Sequence, residues 1–81
     1  MARSREEIIY DAQVGREKLR FGNPVLCMEW VRQTVDKYGD EIAGITENLT
    51  LYTEEGKSGL HVLEDVSVLI AKLEHHLGTL E

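Results

Sequence analysis

Residues 28–52 read MEWVRQTVDKYGDEIAGITENLTLY, and their apolar positions decide the fold. Apolar residues recur there at alternating intervals of three and four, and a second series with the same rhythm follows near the C-terminus. This heptad a/d spacing places one apolar stripe along a helix and favours a partner helix. We call the two series the seam; its members are Met28, Val31, Val35, Tyr38, Ile42, Ile45, Leu49 and Tyr52, followed by Leu63, Val66, Ile70, Leu73, Leu77 and Leu80.

A shorter helix precedes the seam and is predicted over about residues 5–20. Ser4 and Glu7 form a capping box, in which each side chain satisfies a backbone N–H at the start of a helix. Gly15 lies on the apolar face of this helix, where it disfavours the helical backbone by about 1 kcal/mol, so close packing against a neighbour is expected there. The remaining members of that face are Ile8, Ala12 and Leu19.

The second helix is predicted to begin at Pro24, after the Gly22-Asn23 break, and to continue to about residue 54. Tyr38-Gly39-Asp40 alone is typical of one helix ending and another beginning. The heptad phase nevertheless crosses this site without a slip. We therefore predict one long helix over residues 24–54, bent near Gly39, and a third helix over about residues 59–80.

The length of the second helix indicates the assembly. A helix over residues 24–54 is about 46 Å long, whereas a compact chain of this length is about 30 Å across. The predicted fold is therefore all-α, with a short helix and two long ones. The two long helices form an antiparallel hairpin, and two copies form a dimeric helical bundle through the seam.

Composition restricts the class of protein. The chain has 81 residues, of which 42% are hydrophobic and 30% charged, which is typical of one folded domain, here residues 1–81. The start has no apolar signal segment, no apolar run reaches membrane length, and Cys27 is the only cysteine. We therefore expect a soluble cytoplasmic protein.

Residues that carry chemistry are few and scattered. His61, His75 and His76 lack the spacing of a metal site, so neither a metal nor another cofactor is predicted. Cys27 near the start of a helix is interpreted as a buried core residue rather than a nucleophile. Tyrosines on the seam are unusual because each hydroxyl needs a partner, which indicates an interface or a pocket beside the second helix.

Charge suggests the kind of partner. The net charge is −6, and the first 23 residues are slightly basic while the rest are strongly acidic. We therefore predict a non-enzymatic protein–protein interaction module, an adaptor, chaperone-like or inhibitor protein, which binds a basic protein partner and forms a homodimer. The expected partner surface consists of Glu54, Glu55, Glu64 and Asp65. One alternative is a nucleic-acid-binding regulator that uses the basic first helix; another is an enzyme or sensor with a pocket at the dimer interface.

Overall fold

Three α-helices and one irregular segment make up the computed structural model, which describes residues 4–50 and 59–80, the side chains of residues 59 and 60 excepted. The helices are α1 (Arg5–Phe21), α2 (Pro24–Tyr38) and α3 (Gly59–Thr79). No strand occurs among the described residues. The all-α prediction with three helices is therefore confirmed, while the dimeric state and the hairpin geometry stay predictions.

Helix α1 begins and ends at the predicted signals. The Ser4 hydroxyl accepts a hydrogen bond from the backbone N–H of Glu7 at 3.2 Å, which is half of the capping box. Gly22 follows the helix with a left-handed φ of 68°, and its N–H donates to the carbonyl of Lys18 at 3.0 Å. Any residue other than glycine is strained in that conformation, so Gly22 fixes the corner between α1 and α2.

The predicted helix over residues 24–54 is wrong in its second half, because α2 ends at Tyr38. Residues 39–50, which we call the turn segment, form successive turns. Gly44 and Asn48 both adopt left-handed backbone conformations, with φ of 68° and 70°. One such residue ends a right-handed helix, and two of them within five residues prevent a long helix from forming.

The seam is buried within a single chain. With Tyr52 outside the described residues, every other member lies in the hydrophobic core or packs against it. The Cα radius of gyration is 12.1 Å, close to the value of about 12 Å expected for one compact chain of this length. Breaking the long helix thus lets its two halves bury their apolar residues against α3 of the same chain.

Contacts at both ends establish how the elements run. Lys37 at the end of α2 bonds Asp11 in the first half of α1, and Cys27 near the start of α2 bonds the Lys18 carbonyl. Helices α1 and α2 are therefore antiparallel neighbours. The turn segment runs antiparallel to α3, because its start lies near the helix end and Thr50 bonds Asp65 in the first half of the helix.

Helix α1 approaches α2 closely at Gly15. A Cβ atom added to Gly15 would lie 2.5 Å from Cζ2 of the buried Trp30 ring. No other residue type leaves that space, so the expectation of close packing at Gly15 is confirmed. The indole of Trp30 occupies the place of a side chain on α1 and fixes the spacing of the two helices.

Candidate functional site

A polar cluster joins the start of α1 to the end of α2. The Lys37 ammonium lies 2.8 Å from carboxylate oxygens of both Glu7 and Asp11. The buried hydroxyl of Tyr38 donates to the same Asp11 oxygen. The hydrogen bonds to Asp11 and Glu7 raise the pKa of Lys37, because they favour its charged form. The hydroxyl of this seam tyrosine thus finds its partner inside the chain, in a cluster that fastens two helices.

Asp65 is not part of an exposed partner surface, which corrects the prediction. Its side chain is 1% exposed. The carboxylate accepts a hydrogen bond from the backbone N–H of Thr50 at 2.9 Å, and the Thr50 hydroxyl donates to it at 3.1 Å. Asp65 therefore holds the end of the turn segment against α3, because a buried carboxylate must find donors nearby.

The other predicted partner residues do not form one described surface. Glu64 is exposed on α3, where it stands beside the buried Asp65. Glu54 and Glu55 lie outside the described residues. An acidic surface built from Glu54, Glu55 and Glu64 stays a prediction.

Cys27 is a core residue. It is 0% exposed, and its thiol donates to the carbonyl of Lys18 at 3.4 Å. Burial raises the pKa of the Cys27 thiol, with the Lys18 charge acting in the opposite direction. A nucleophilic cysteine needs a lowered pKa and access to substrate, and Cys27 has neither.

The histidines are dispersed along α3. His76 is half-buried and its Nε2 lies 3.7 Å from a carboxylate oxygen of Glu41, while His75 is exposed. Within residues 4–50 and 59–80, no group of three or more His, Cys, Asp or Glu side chains is placed to hold a metal ion. The described histidines therefore do not converge on one point.

The basic residues of α1 are engaged with the chain itself. Arg16 pairs with Glu74 of α3, and Arg20 lies 3.7 Å from Glu17 one turn earlier. Arg5 donates to the carbonyl of Leu77 at 3.1 Å. Three of the cations that would contact phosphates in the alternative function thus already contact oxygen atoms of this protein.

An exposed apolar cluster lies where α1 turns into α2. Phe21 is 74% exposed, Val25 66% and Leu26 38%. We call these three residues the apolar corner. Its backbone is fixed by Gly22 and by Asn23, whose side chain accepts hydrogen bonds from the N–H groups of the first turn of α2. The sequence places Val25 and Leu26 outside the seam, and the structure shows that α1 covers Trp30 but not these two.

A second feature is a shallow groove between the turn segment and α3. Its floor is apolar and its rim carries two basic side chains. Three of its lining residues are exposed, so the groove is open on its outer side. The lining residues are Ile42, Ala43, Val68, Ala71, Lys72 and His75.

None of the helices in the described part of the chain combines the length and the hydropathy needed to cross a membrane. No protein-family model, curated protein or solved structure matches this chain in our comparisons. The geometry of its own surfaces is therefore the basis on which a function is inferred.

Proposed function

We propose that this protein is a non-enzymatic protein–protein interaction module that forms a homodimer and binds another protein through the apolar corner. The observation that carries the proposal is the exposure of Phe21 and Val25 at one rigid corner. Large apolar side chains that stay in water are unfavourable, and when they lie together they mark binding surfaces. Aromatic residues such as Phe21 often supply most of the binding energy of such contacts.

The rigidity of the corner supports binding. The left-handed Gly22 and the side-chain bonds from Asn23 hold the backbone between the two helices. A preorganised corner loses little conformational entropy when a partner covers it. The partner is expected to offer an apolar cleft, and the net charge of −6 favours a partner that is basic overall.

Several groups that would serve catalysis have a role within the chain, which supports a non-enzymatic function. Asp11 bonds Lys37 and Tyr38, and Asp65 bonds Thr50. Salt bridges of Arg16 and Arg20 weigh against the nucleic-acid alternative, since each phosphate contact would have to replace one of them.

The test is capture of partners from extracts of the cells in which the chain is native. We compare the tagged wild-type protein with a Phe21→Ser/Val25→Ser variant, identifying bound proteins by mass spectrometry. The wild type is expected to retain a reproducible set of proteins that the variant loses. Because both side chains are exposed, the variant should keep the circular dichroism spectrum and the thermal midpoint of the wild type.

A matched control is Tyr10→Ser, which removes another exposed aromatic group from α1, since Tyr10 is 64% exposed. It should retain the same proteins as the wild type. The proposal is overturned if the wild type captures nothing reproducibly, or if the corner variant captures the same proteins as the wild type does.

A further inference from the structure

The outer face of α3 has the pattern of a helix–helix contact. Glu64, Val68, Ala71 and His75 follow one another at intervals of four, three and four, so they share one side of the helix. Val68 is half-buried, and the other three are exposed. This stripe, which we call the α3 stripe, borders the groove beside the turn segment.

Small side chains at the middle of the stripe allow a second helix to come close. Ala71 is exposed on α3, and Ala43 is exposed on the opposite wall of the groove. Helices with small residues at their contact pack with axes about 8 Å apart, whereas larger residues hold them nearer 10 Å. The apolar atoms of Val68 and Ile42 would then lose their remaining contact with water.

The charges on this face do not pair within the chain. Among the described residues, the side chains of Glu64, Lys72 and His75 form no hydrogen bond or ion pair. Glu64 and Lys72 are eight residues apart on one helix, about 12 Å along its axis. Side chains pair along a helix only across three or four residues, so these two charges need another molecule to meet an opposite charge.

A second copy of the chain supplies those opposite charges if the two helices are antiparallel. In an antiparallel pair centred between Val68 and Ala71, Glu64 lies opposite His75 of the second copy. Lys72 of the second copy lies three residues before His75, so it is displaced from Glu64 by about 4.5 Å along the helix axis. Two-fold symmetry makes each contact twice. A parallel pair would instead place Glu64 against Glu64 and Lys72 against Lys72.

We propose that a second copy of this chain packs its α3 stripe antiparallel against the first, with Glu64 of each copy paired to Lys72 and His75 of the other. The proposal rests on the proposed function in that it assigns a surface to the homodimer. This surface lies on α3 and is distinct from the apolar corner on α1 and α2.

The size of the contact sets the strength of the dimer. One helix pair with the adjoining groove buries less than about 1,200 Å² in total, which belongs to the weak and transient class of interfaces. We therefore expect a dissociation constant in the micromolar range or weaker. Sedimentation equilibrium over a concentration series from about 5 µM to about 1 mM covers that range.

Charge reversal is the decisive experiment. Glu64→Lys and Lys72→Glu should each weaken dimerisation by about tenfold or more, because each opposes like charges across the interface. The double variant restores the two symmetry-related pairs between positions 64 and 72 with the opposite signs, although position 64 still faces His75, and it should dimerise clearly more tightly than either single variant. Asp36→Lys, which makes the same charge change as Glu64→Lys at an exposed position of α2, should leave dimerisation unchanged.

Disulfide cross-linking checks the register. Ala71→Cys places a thiol near the two-fold axis and should yield a covalent dimer under mild oxidation, because the native Cys27 is buried and unreactive. Gln33→Cys, at an exposed site on α2, is the matched control and should remain monomeric on a denaturing gel.

The outcomes distinguish the α3 dimer from partner capture through the apolar corner. A wild type that stays monomeric up to about 1 mM overturns the α3 dimer, and so does a double charge reversal that fails to restore it. Neither result affects partner capture through the apolar corner. The Phe21→Ser/Val25→Ser variant should dimerise as the wild type does, and a loss of dimerisation in that variant would place the contact at the corner and overturn the α3 assignment.

Discussion

Helix α2 and the turn segment lie end to end and bury apolar residues at the same intervals of three and four, but their backbones differ. In α2 the backbone is helical throughout. In the turn segment it forms tight turns, such as those from the Glu41 N–H to the Tyr38 carbonyl and from the Glu47 N–H to the Gly44 carbonyl, both 2.9 Å.

The difference shows that apolar periodicity determines which side of the chain faces the core and leaves the backbone conformation to local residues. Ile42, Ile45 and Leu49 are buried as a helix would bury them. Gly44 and Asn48 select turns, because they adopt a left-handed conformation that is accessible to these residue types at little cost. Turns leave some backbone N–H groups without a backbone acceptor. In this protein the Asp65 side chain of α3 accepts the hydrogen bond of one of them, the N–H of Thr50.

The largest expected effect on stability comes from removing the Asp65 carboxylate, which accepts the hydrogen bonds of the turn segment. Asp65→Ala removes the group that binds the N–H and the hydroxyl of Thr50, and we expect a loss of about 2–3 kcal/mol in the free energy of unfolding. Urea unfolding followed by circular dichroism measures it. Asp65→Asn keeps one acceptor oxygen and should lose less; a loss in Asp65→Ala below about 0.5 kcal/mol would show that the turn segment does not depend on these hydrogen bonds.

The next effect concerns α2, which is positioned by packing. Gly15→Ala should improve the intrinsic helix propensity of α1 by about 1 kcal/mol, yet the added methyl group overlaps the Trp30 ring. Overpacking of this kind costs about 1–3 kcal/mol, so we expect a net loss of up to about 2 kcal/mol. Gly78→Ala is the control, since a Cβ there meets nothing within 4 Å and should be neutral or stabilising.

Most of the fold can be predicted from the sequence because its signals are local. The Ser4 cap, the Gly22 corner, the Asn23 cap and the start of the last helix all depend on residues within four positions of one another. The end of α2 also has a local signal, Gly39-Asp40. The heptad phase favours one continuous helix across this site, but a series of turns that buries the same residues has the same spacing of apolar positions.

The surfaces could be predicted only in part, because exposure depends on what the rest of the chain covers. Val25, Leu26 and Trp30 look alike in the sequence as apolar residues outside the seam. Only the packing of Gly15 against Trp30 decides that Trp30 is buried and the other two are not. Asp65 resembles Glu64 beside it, and its burial follows from the position of Thr50, which the sequence alone does not give.

A smaller effect tests whether left-handed residues keep the turn segment from becoming helical. Gly44→Ala forces a Cβ into a φ of 68°, which costs about 1 kcal/mol. Asn48→Gly relaxes the equivalent strain at a φ of 70° and should change stability by less than about 0.5 kcal/mol. A Gly44→Ala variant with more helix and higher stability than the wild type would show that the segment can continue α2.

The smallest effect lies where the two regions meet, at Lys37. Its pKa in the folded protein is raised above the ordinary lysine value of 10.5 by the hydrogen bonds to Asp11 and Glu7. The stabilisation is therefore complete below about pH 10 and is lost as the pH rises through the folded pKa. Since the side chain is 35% exposed, solvent screening keeps this contribution below about 1 kcal/mol.

The thermal stabilities of the wild type and Lys37→Met should differ by a constant amount from pH 7 to about pH 10, and the difference should shrink at higher pH. A difference that instead stays constant at every pH above about 10 would mean that the charge of Lys37 does not stabilise the junction.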